Sequence, residues 1–220
     1  ICFQGFCGDI NPVAETGQGG DSMRPGSACR DHLLKYGRHL YETAMIAQCG
    51  LRESTSGALN AVETRIRIPL LVSAEEDIDA DAEFWSESKF WSEFSGDAPF
   101  QQFVGEWTRD AHERLPEYRA RPYKDNIPIQ GMRIGDLAIV GVPGEVYCGY
   151  ARKLCDEGAP FLFTVGYAGG NIGYLPTRDA YGDVYDYGCY LAPKLYNVFP
   201  FSPDTEDLVL KACRGVLESL

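Results

Sequence analysis

Two chain segments that end in a polar side chain are the first candidates for chemistry in this sequence. The run Val142-Pro143-Gly144-Glu145 closes a predicted buried strand, and α/β enzymes commonly place functional groups at strand ends. Glu145 could equally just complement the dipole of a following helix. A glycine-rich loop over residues 166–173 then ends at Tyr174, 29 positions after Glu145. A phosphate-binding loop is disfavoured there, because no Gly-Lys-Ser/Thr follows and the next residues do not begin a helix.

A third candidate is the turn Gly8-Asp9-Ile10-Asn11-Pro12 near the start of the sequence. Glycine permits positive φ angles, and Asp and Asn are short polar side chains that can face a ligand or cap their own turn. A purely structural turn therefore competes with a catalytic or substrate-binding role for Asp9 and Asn11.

The pattern of apolar residues predicts an α/β fold with a mixed sheet flanked by helices. Period-2 alternation predicts a half-buried strand over residues 62–70, and strands over 127–134 and 137–142 are joined by a Gly135-Asp136 hairpin turn. Period-3.6 spacing and end signals predict the helices, and Ser202 is the expected N-cap of the last one. The acidic segment 75–95 contains an echo of Phe-Trp-Ser-Glu and is interpreted as an insertion. The predicted helices cover residues 25–48, 100–118, 145–156 and a C-terminal segment with Pro203 in its first turn, and a further strand covers 161–165.

Composition excludes some classes of partner. The net charge is −12 and the pI is about 4.7, so no basic face is expected and nucleic acid is not a predicted partner. No apolar run is long enough for a transmembrane segment.

The sequence opens as a buried strand already under way, which predicts that residues 1–220 are one partial domain without its N-terminal portion. The eight cysteines form no C-x-x-C zinc motif, and most are expected to be buried small apolar residues, with one or two disulfide bridges compatible with this interpretation.

The ordered set of motifs resembles the neutral, non-lysosomal ceramidase family. The resemblance rests on residues 127–130, on 134–145 with its Val-Pro-Gly-Glu, on 166–177 around Tyr174, and on the upstream Gly-Asp-x-Asn-Pro. It implies the later part of a neutral-ceramidase-like catalytic domain that is secreted or extracytoplasmic. It also implies a Zn²⁺ ion held by Glu145, Tyr174 and two histidines from the missing N-terminal portion. The zinc-activated water would cleave the N-acyl amide bond of ceramide or a related lipid amide.

The same resemblance assigns further site residues, and the sequence departs from the family at two positions. Tyr190 matches an additional active-site tyrosine that could bind the developing oxyanion. Asn11 replaces the family's serine, which excludes a covalent serine mechanism there but leaves a hydrogen bond to substrate possible, and Leu191 stands where glutamate is usual. Two alternatives therefore stay open: a hydrolase of a different N-acyl substrate, and a non-catalytic module on the same fold. The histidines of this sequence are expected to be surface or capping residues rather than ligands: His32, His39 and His112.

Overall fold

The computed structural model describes residues 3–10, 27–51, 57–87, 98–156 and 161–220. Two compact units are present: Ile1–Asp9 with Ala58–Leu220, and Ile10–Gly57. The second unit contains helix α1, Ser27–Cys49. The single domain over residues 1–220 stays a prediction.

A four-stranded mixed sheet forms the centre of the first unit, with its strands in the spatial order β1 (Leu59–Pro69), β2 (Tyr123–Ile134), β3 (Leu137–Gly141) and β5 (Leu162–Val165). Strands β1 and β2 pair antiparallel, β2 and β3 form the predicted hairpin, and β5 adds parallel to β3. Gly135 has φ +62° in the hairpin turn, a conformation that glycine adopts at low cost. The predicted α/β class with a mixed sheet flanked by helices is confirmed.

Helix α6, Thr205–Glu218, covers one face of this sheet. Its buried Val209 and Val216 belong to the same hydrophobic cluster as Ile129 and Val140 of the sheet. The alternation predicted for β1 is observed, since Val62, Thr64, Ile66 and Ile68 are less exposed than the charged residues between them. The opposite face of the sheet exposes apolar side chains: Leu59, Met132, Ile134 and Phe163.

Two helices pack against each other beside the sheet: α2, Glu75–Glu87, and α3, Ala98–Ala120. The first half of the acidic segment is therefore a helix, and it buries Trp85 in a cluster with Val104 and Leu191. The second Phe-Trp-Ser-Glu, at residues 90–93, lies outside the described residues. Lys194 is buried near this cluster, with its Nζ 2.6 Å from Asp81 Oδ2 and 4.6 Å from the Trp107 ring centroid.

Three helix predictions differ from the structure in detail. Helix α4 spans Cys148–Asp156, and Glu145–Val146 forms a short strand, β4, instead of the first helical turn. The last helix begins at Thr205 with Asp204 as its N-cap residue, because Ser202 accepts a hydrogen bond from the Asp204 amide in a preceding turn. Helix α1 has the predicted extent after residue 26, but its apolar positions, including Leu33 and Leu40, are exposed within its own unit.

Short helical segments connect Tyr174 to α6. A second short strand, β6, is Tyr174–Leu175. It is followed by a 3₁₀ turn at Arg178–Gly182, a π-helical turn at Tyr187–Leu191, and helix α5 at Ala192–Leu195.

The described cysteines are free thiols: Cys7, Cys49, Cys148, Cys155, Cys189 and Cys213. Of these, Cys189 and Cys213 are buried, as expected of small apolar residues, whereas Cys49 and Cys155 are exposed. Within the described part of the chain, none of the helices has the length and apolar character needed to cross a bilayer.

Candidate active site

Strands β4 and β6 bring Glu145 and Tyr174 side by side. The two strands pair in parallel, with Glu145 opposite Tyr174 and Val146 opposite Leu175. Backbone hydrogen bonds fix this register, from Glu145 N to Gly173 O at 2.9 Å and from Tyr147 N to Leu175 O at 3.1 Å. Paired strands lie about 4.8 Å apart, so two residues 29 positions apart in sequence become direct neighbours.

Two glycines allow the backbones around Glu145 to approach this closely. Gly144 has φ +111°, and a Cβ there would lie 2.6 Å from Gly173 O. A Cβ on Gly8 would lie only 2.4 Å from Glu145 O, and the Gly8 amide donates to Val146 O at 2.8 Å. The segment that contains Gly8-Asp9 therefore packs directly against the strand that carries Glu145.

Three phenols surround the Glu145 carboxylate. Tyr196 Oη donates to Glu145 Oε1 at 2.5 Å, and the hydroxyls of Tyr174 and Tyr167 lie near enough to the Glu145 side chain for its charge to act on them. Burial, reinforced by the negative charge of Glu145, raises the pKa of Tyr167 to about 12 and that of Tyr174 further. All three hydroxyls are consequently protonated donors at neutral pH.

Aromatic rings surround Tyr174 and fix its orientation. The Tyr187 ring packs edge to face on it at 5.3 Å between centroids, and the rings of Tyr147 and Tyr196 lie at 6.5 Å. Tyr147 in turn donates to Asp186 Oδ1 at 2.6 Å. The Tyr174 phenol is thus held rigidly beside the carboxylate.

Asp9 makes contacts that explain its position structurally. Its carboxylate accepts from the Cys148 amide at 2.6 Å and from the Cys148 thiol at 3.2 Å. Cys148 is the first residue of α4, so Asp9 places a negative charge at the positive end of that helix. Burial, followed by the neighbouring Asp9, raises the pKa of the Cys148 thiol. The catalytic role assigned to Asp9 stays a prediction.

Of the remaining predicted site residues, one makes contacts with other groups and one lies outside the described residues. Tyr190 packs with the cluster around Trp85, and its hydroxyl donates to Tyr181 O at 2.8 Å. Asn11 falls outside the described residues. The roles of both stay predictions.

Two of the histidines that were not expected to be metal ligands lie next to acidic side chains. His112 lies 2.8 Å from Asp79 on the α2–α3 pair, and the exposed His39 lies 4.0 Å from Glu42 on α1. His32 also lies on α1, in the second compact unit.

Sequence reasoning missed two of the phenols that contact Glu145. Tyr167 lies in the glycine-rich loop that had been singled out, and its positive φ of 58° is unusual for a tyrosine. Tyr196 follows α5 in a segment without any motif, so no sequence signal connected it with Glu145.

The donor set around Glu145 suits one side of a site for a hard cation. Carboxylate and phenol oxygens are hard ligands that Zn²⁺ accepts alongside nitrogen. Over the described ranges, no three His, Cys, Asp or Glu side chains come together as a metal site. Glu145 and Tyr174 are thus two oxygen donors side by side, and the metal role that the resemblance implies for them stays a prediction.

Comparisons with known proteins give one structural similarity. No protein-family model matches the chain, and no curated protein sequence matches it. Among solved structures, the chain is similar to the neutral ceramidase from Pseudomonas aeruginosa, with 17% sequence identity over 74% of this chain and a TM-score of 0.39. The chain spans 29% of the length of that ceramidase chain.

Proposed function

We propose that this chain supplies the glutamate and tyrosine side of the active site of a zinc-dependent amide hydrolase, acting on ceramide or a related lipid-like N-acyl amide. The observation that supports the proposal most directly is the register of β4 and β6, which sets Glu145 beside Tyr174. The motif resemblance named these two residues as the metal ligands that this part of the family's domain provides.

The contacts define what each side chain would do. Glu145 would bind the ion through its carboxylate, and Tyr174 would bind through its phenol oxygen after releasing its proton. Tyr167 and Tyr196 would keep the carboxylate in place by hydrogen bonding. When bound, zinc lowers the pKa of a coordinated water and polarises a carbonyl group. Because Asn11 replaces the family's serine, we propose that water, and not a side chain at that position, attacks the amide.

Two further donors are required, and we propose that they are histidines of a preceding portion of the same domain. This makes a clear prediction for the 220-residue chain by itself. Two oxygen donors without imidazole form a weak zinc site, so the chain alone should bind zinc weakly. The same chain joined to its preceding coding sequence should bind one zinc ion per molecule.

The test compares this longer protein with its Glu145→Gln and Tyr174→Phe variants. Removing a residue that only supports a metal ligand typically costs about 10–100-fold in metal affinity or activity. Removing a ligand itself should reduce zinc affinity and amide hydrolysis by more than that. Glu218→Gln, on the exposed side of α6, is the matched control and should behave as wild type. Zinc content is measured by atomic emission, and hydrolysis with fluorogenic N-acyl amides.

The acyl chain length of the substrate separates the alternatives. A steady rise in kcat/KM with chain length supports a lipid amide, whereas a preference for short chains favours a different N-acyl substrate. A folded protein that binds no zinc and cleaves none of the amides would identify a non-catalytic module, in which the phenols around Glu145 serve only stability.

A further inference from the structure

We infer that Tyr196 is a positioning residue that fixes the orientation of the Glu145 carboxylate, and that Asn171 in turn fixes Tyr196. The evidence is a chain of hydrogen bonds. Asn171 Nδ2 donates to Tyr196 Oη at 3.1 Å, and Tyr196 Oη donates to Glu145 Oε1 at 2.5 Å. The significance of this chain for zinc binding rests on the proposed function, but the orientation of Glu145 does not.

The donor and the acceptor of each of these hydrogen bonds are determined by chemistry. A phenol has one proton, and the carboxylate can only accept it, so the Tyr196 hydroxyl must accept from Asn171. The side-chain amide of Asn171 is oriented by its other end, because Oδ1 accepts from the Gly173 amide at 2.9 Å. The amide is therefore locked by the backbone of the loop that leads into Tyr174.

Tyr196 is held firmly although its residue is 42% exposed. Its own amide donates to Ala192 O at 3.1 Å at the end of α5. The next residue, Asn197, is anchored to α3, with its Nδ2 3.1 Å from Asp110 Oδ2 and its carbonyl accepting from Arg114 Nη1 at 2.7 Å. Helix contacts thus hold the backbone of Tyr196, and Asn171 orients its hydroxyl.

This arrangement occupies one oxygen of the Glu145 carboxylate and leaves the other for the proposed zinc ion. Tyr196 takes Oε1 in a hydrogen bond to a charged acceptor, the stronger kind of hydrogen bond. The rotation of the carboxylate about its last bond is thereby restricted, so the second oxygen keeps a constant direction. Residues that orient a ligand in this way typically contribute about 10–100-fold to metal affinity.

Tyr196→Phe is the direct test, and Tyr41→Phe is its matched control, because Tyr41 is exposed on α1 in the other compact unit. Asn171→Asp is a second variant, which keeps the acceptor for the Gly173 amide and removes the donor to Tyr196. The first readout needs no metal. The carboxylate stretch of Glu145, isolated as the infrared difference between wild type and Glu145→Gln, should shift in Tyr196→Phe and in Asn171→Asp but not in Tyr41→Phe.

The second readout is the zinc affinity of the longer protein, which should fall about 10–100-fold in Tyr196→Phe. A shifted carboxylate band together with this loss supports the inference. If the wild type binds zinc and Tyr196→Phe binds it equally well with an unchanged band, the inference is overturned and the proposed function stands. If the wild type binds no zinc, the proposed function fails, and the infrared comparison alone decides: a shift supports the positioning role and an unchanged band overturns it.

Discussion

Gly8→Ala is the substitution that most directly tests how the site is assembled. The new Cβ would lie 2.4 Å from Glu145 O and 2.8 Å from Glu145 C. Contacts of this kind below 3.0 Å are essentially never observed, so the two backbones must separate by at least about 0.6 Å. The hydrogen bond from Gly8 N to Val146 O, now 2.8 Å, would lengthen accordingly.

The expected loss of stability follows from these two effects. Overpacking against a rigid backbone costs about 1–3 kcal/mol, and weakening one backbone hydrogen bond costs about 0.5–1.5 kcal/mol. The free energy of unfolding should therefore fall by about 1.5–4.5 kcal/mol. At about 2–4 °C per kcal/mol for a chain of this size, the Tm should fall by roughly 3–18 °C.

Thermal and urea unfolding, followed by circular dichroism, measure this loss. Gly105→Ala is the matched control, since its Cβ would meet open space in the middle of α3, and alanine there should stabilise the protein by about 1 kcal/mol. A Gly8→Ala variant as stable as wild type would show that Gly8 does not pack against Glu145, and would refute the packing on which the candidate site depends.

Three further predictions concern buried polar groups of the first compact unit. Glu206 is 3% exposed and accepts from Lys153 Nζ at 2.6 Å, so Glu206→Ala should lower the free energy of unfolding in urea by about 1.5–3 kcal/mol. Tyr150 is fully buried and donates to Pro176 O at 3.0 Å; Tyr150→Phe leaves that carbonyl without this donor and should cost about 1–3 kcal/mol, again measured in urea. Burial raises the pKa of Tyr150 well above 10 and that of the Cys213 thiol from 9 to about 12. Both groups keep their protons in the folded state at a pH where the unfolded chain releases them, so their stabilisation is complete below about pH 9 and is lost as the pH rises towards 12. A urea midpoint that rises between pH 9 and 11 would contradict this.

The long strands and helices were predictable because the periodic spacing of apolar residues along a segment indicates which of its side chains are buried. Strand β1 alternates between less exposed and charged residues from Val62 to Ile68, and the Gly135-Asp136 turn joins β2 and β3 as a hairpin. The alternation along a strand and the sequence of a hairpin turn are both properties of one short stretch of chain, so neither requires knowledge of the tertiary contacts. The same holds for α3, whose helical spacing extends across many turns.

The short elements around the site were not predictable in the same way. Strand β4 is two residues long, too short for any periodic pattern, and the helix-like residues after it led to a predicted helix start at Glu145. Its pairing with β6 is a tertiary contact that no local sequence records. The contact of Tyr196 with Glu145 depends likewise on where α3 and α5 place the end of a short helix.

The glycines near Glu145 are as important for the geometry of the candidate site as its polar residues. Glu145 and Tyr174 are neighbours because the backbones of β4 and β6 pair, and that pairing requires Gly144 to have no side chain, since its Cβ would lie 2.6 Å from Gly173 O. Gly8 must lack a side chain for another reason, because its segment packs against the backbone of Glu145. A methyl group on Gly144 would push the two paired backbones apart, and one on Gly8 would push its own segment away from β4. We therefore expect the Gly144 change to disturb the Glu145–Tyr174 pair more than removal of any single phenol hydroxyl around it.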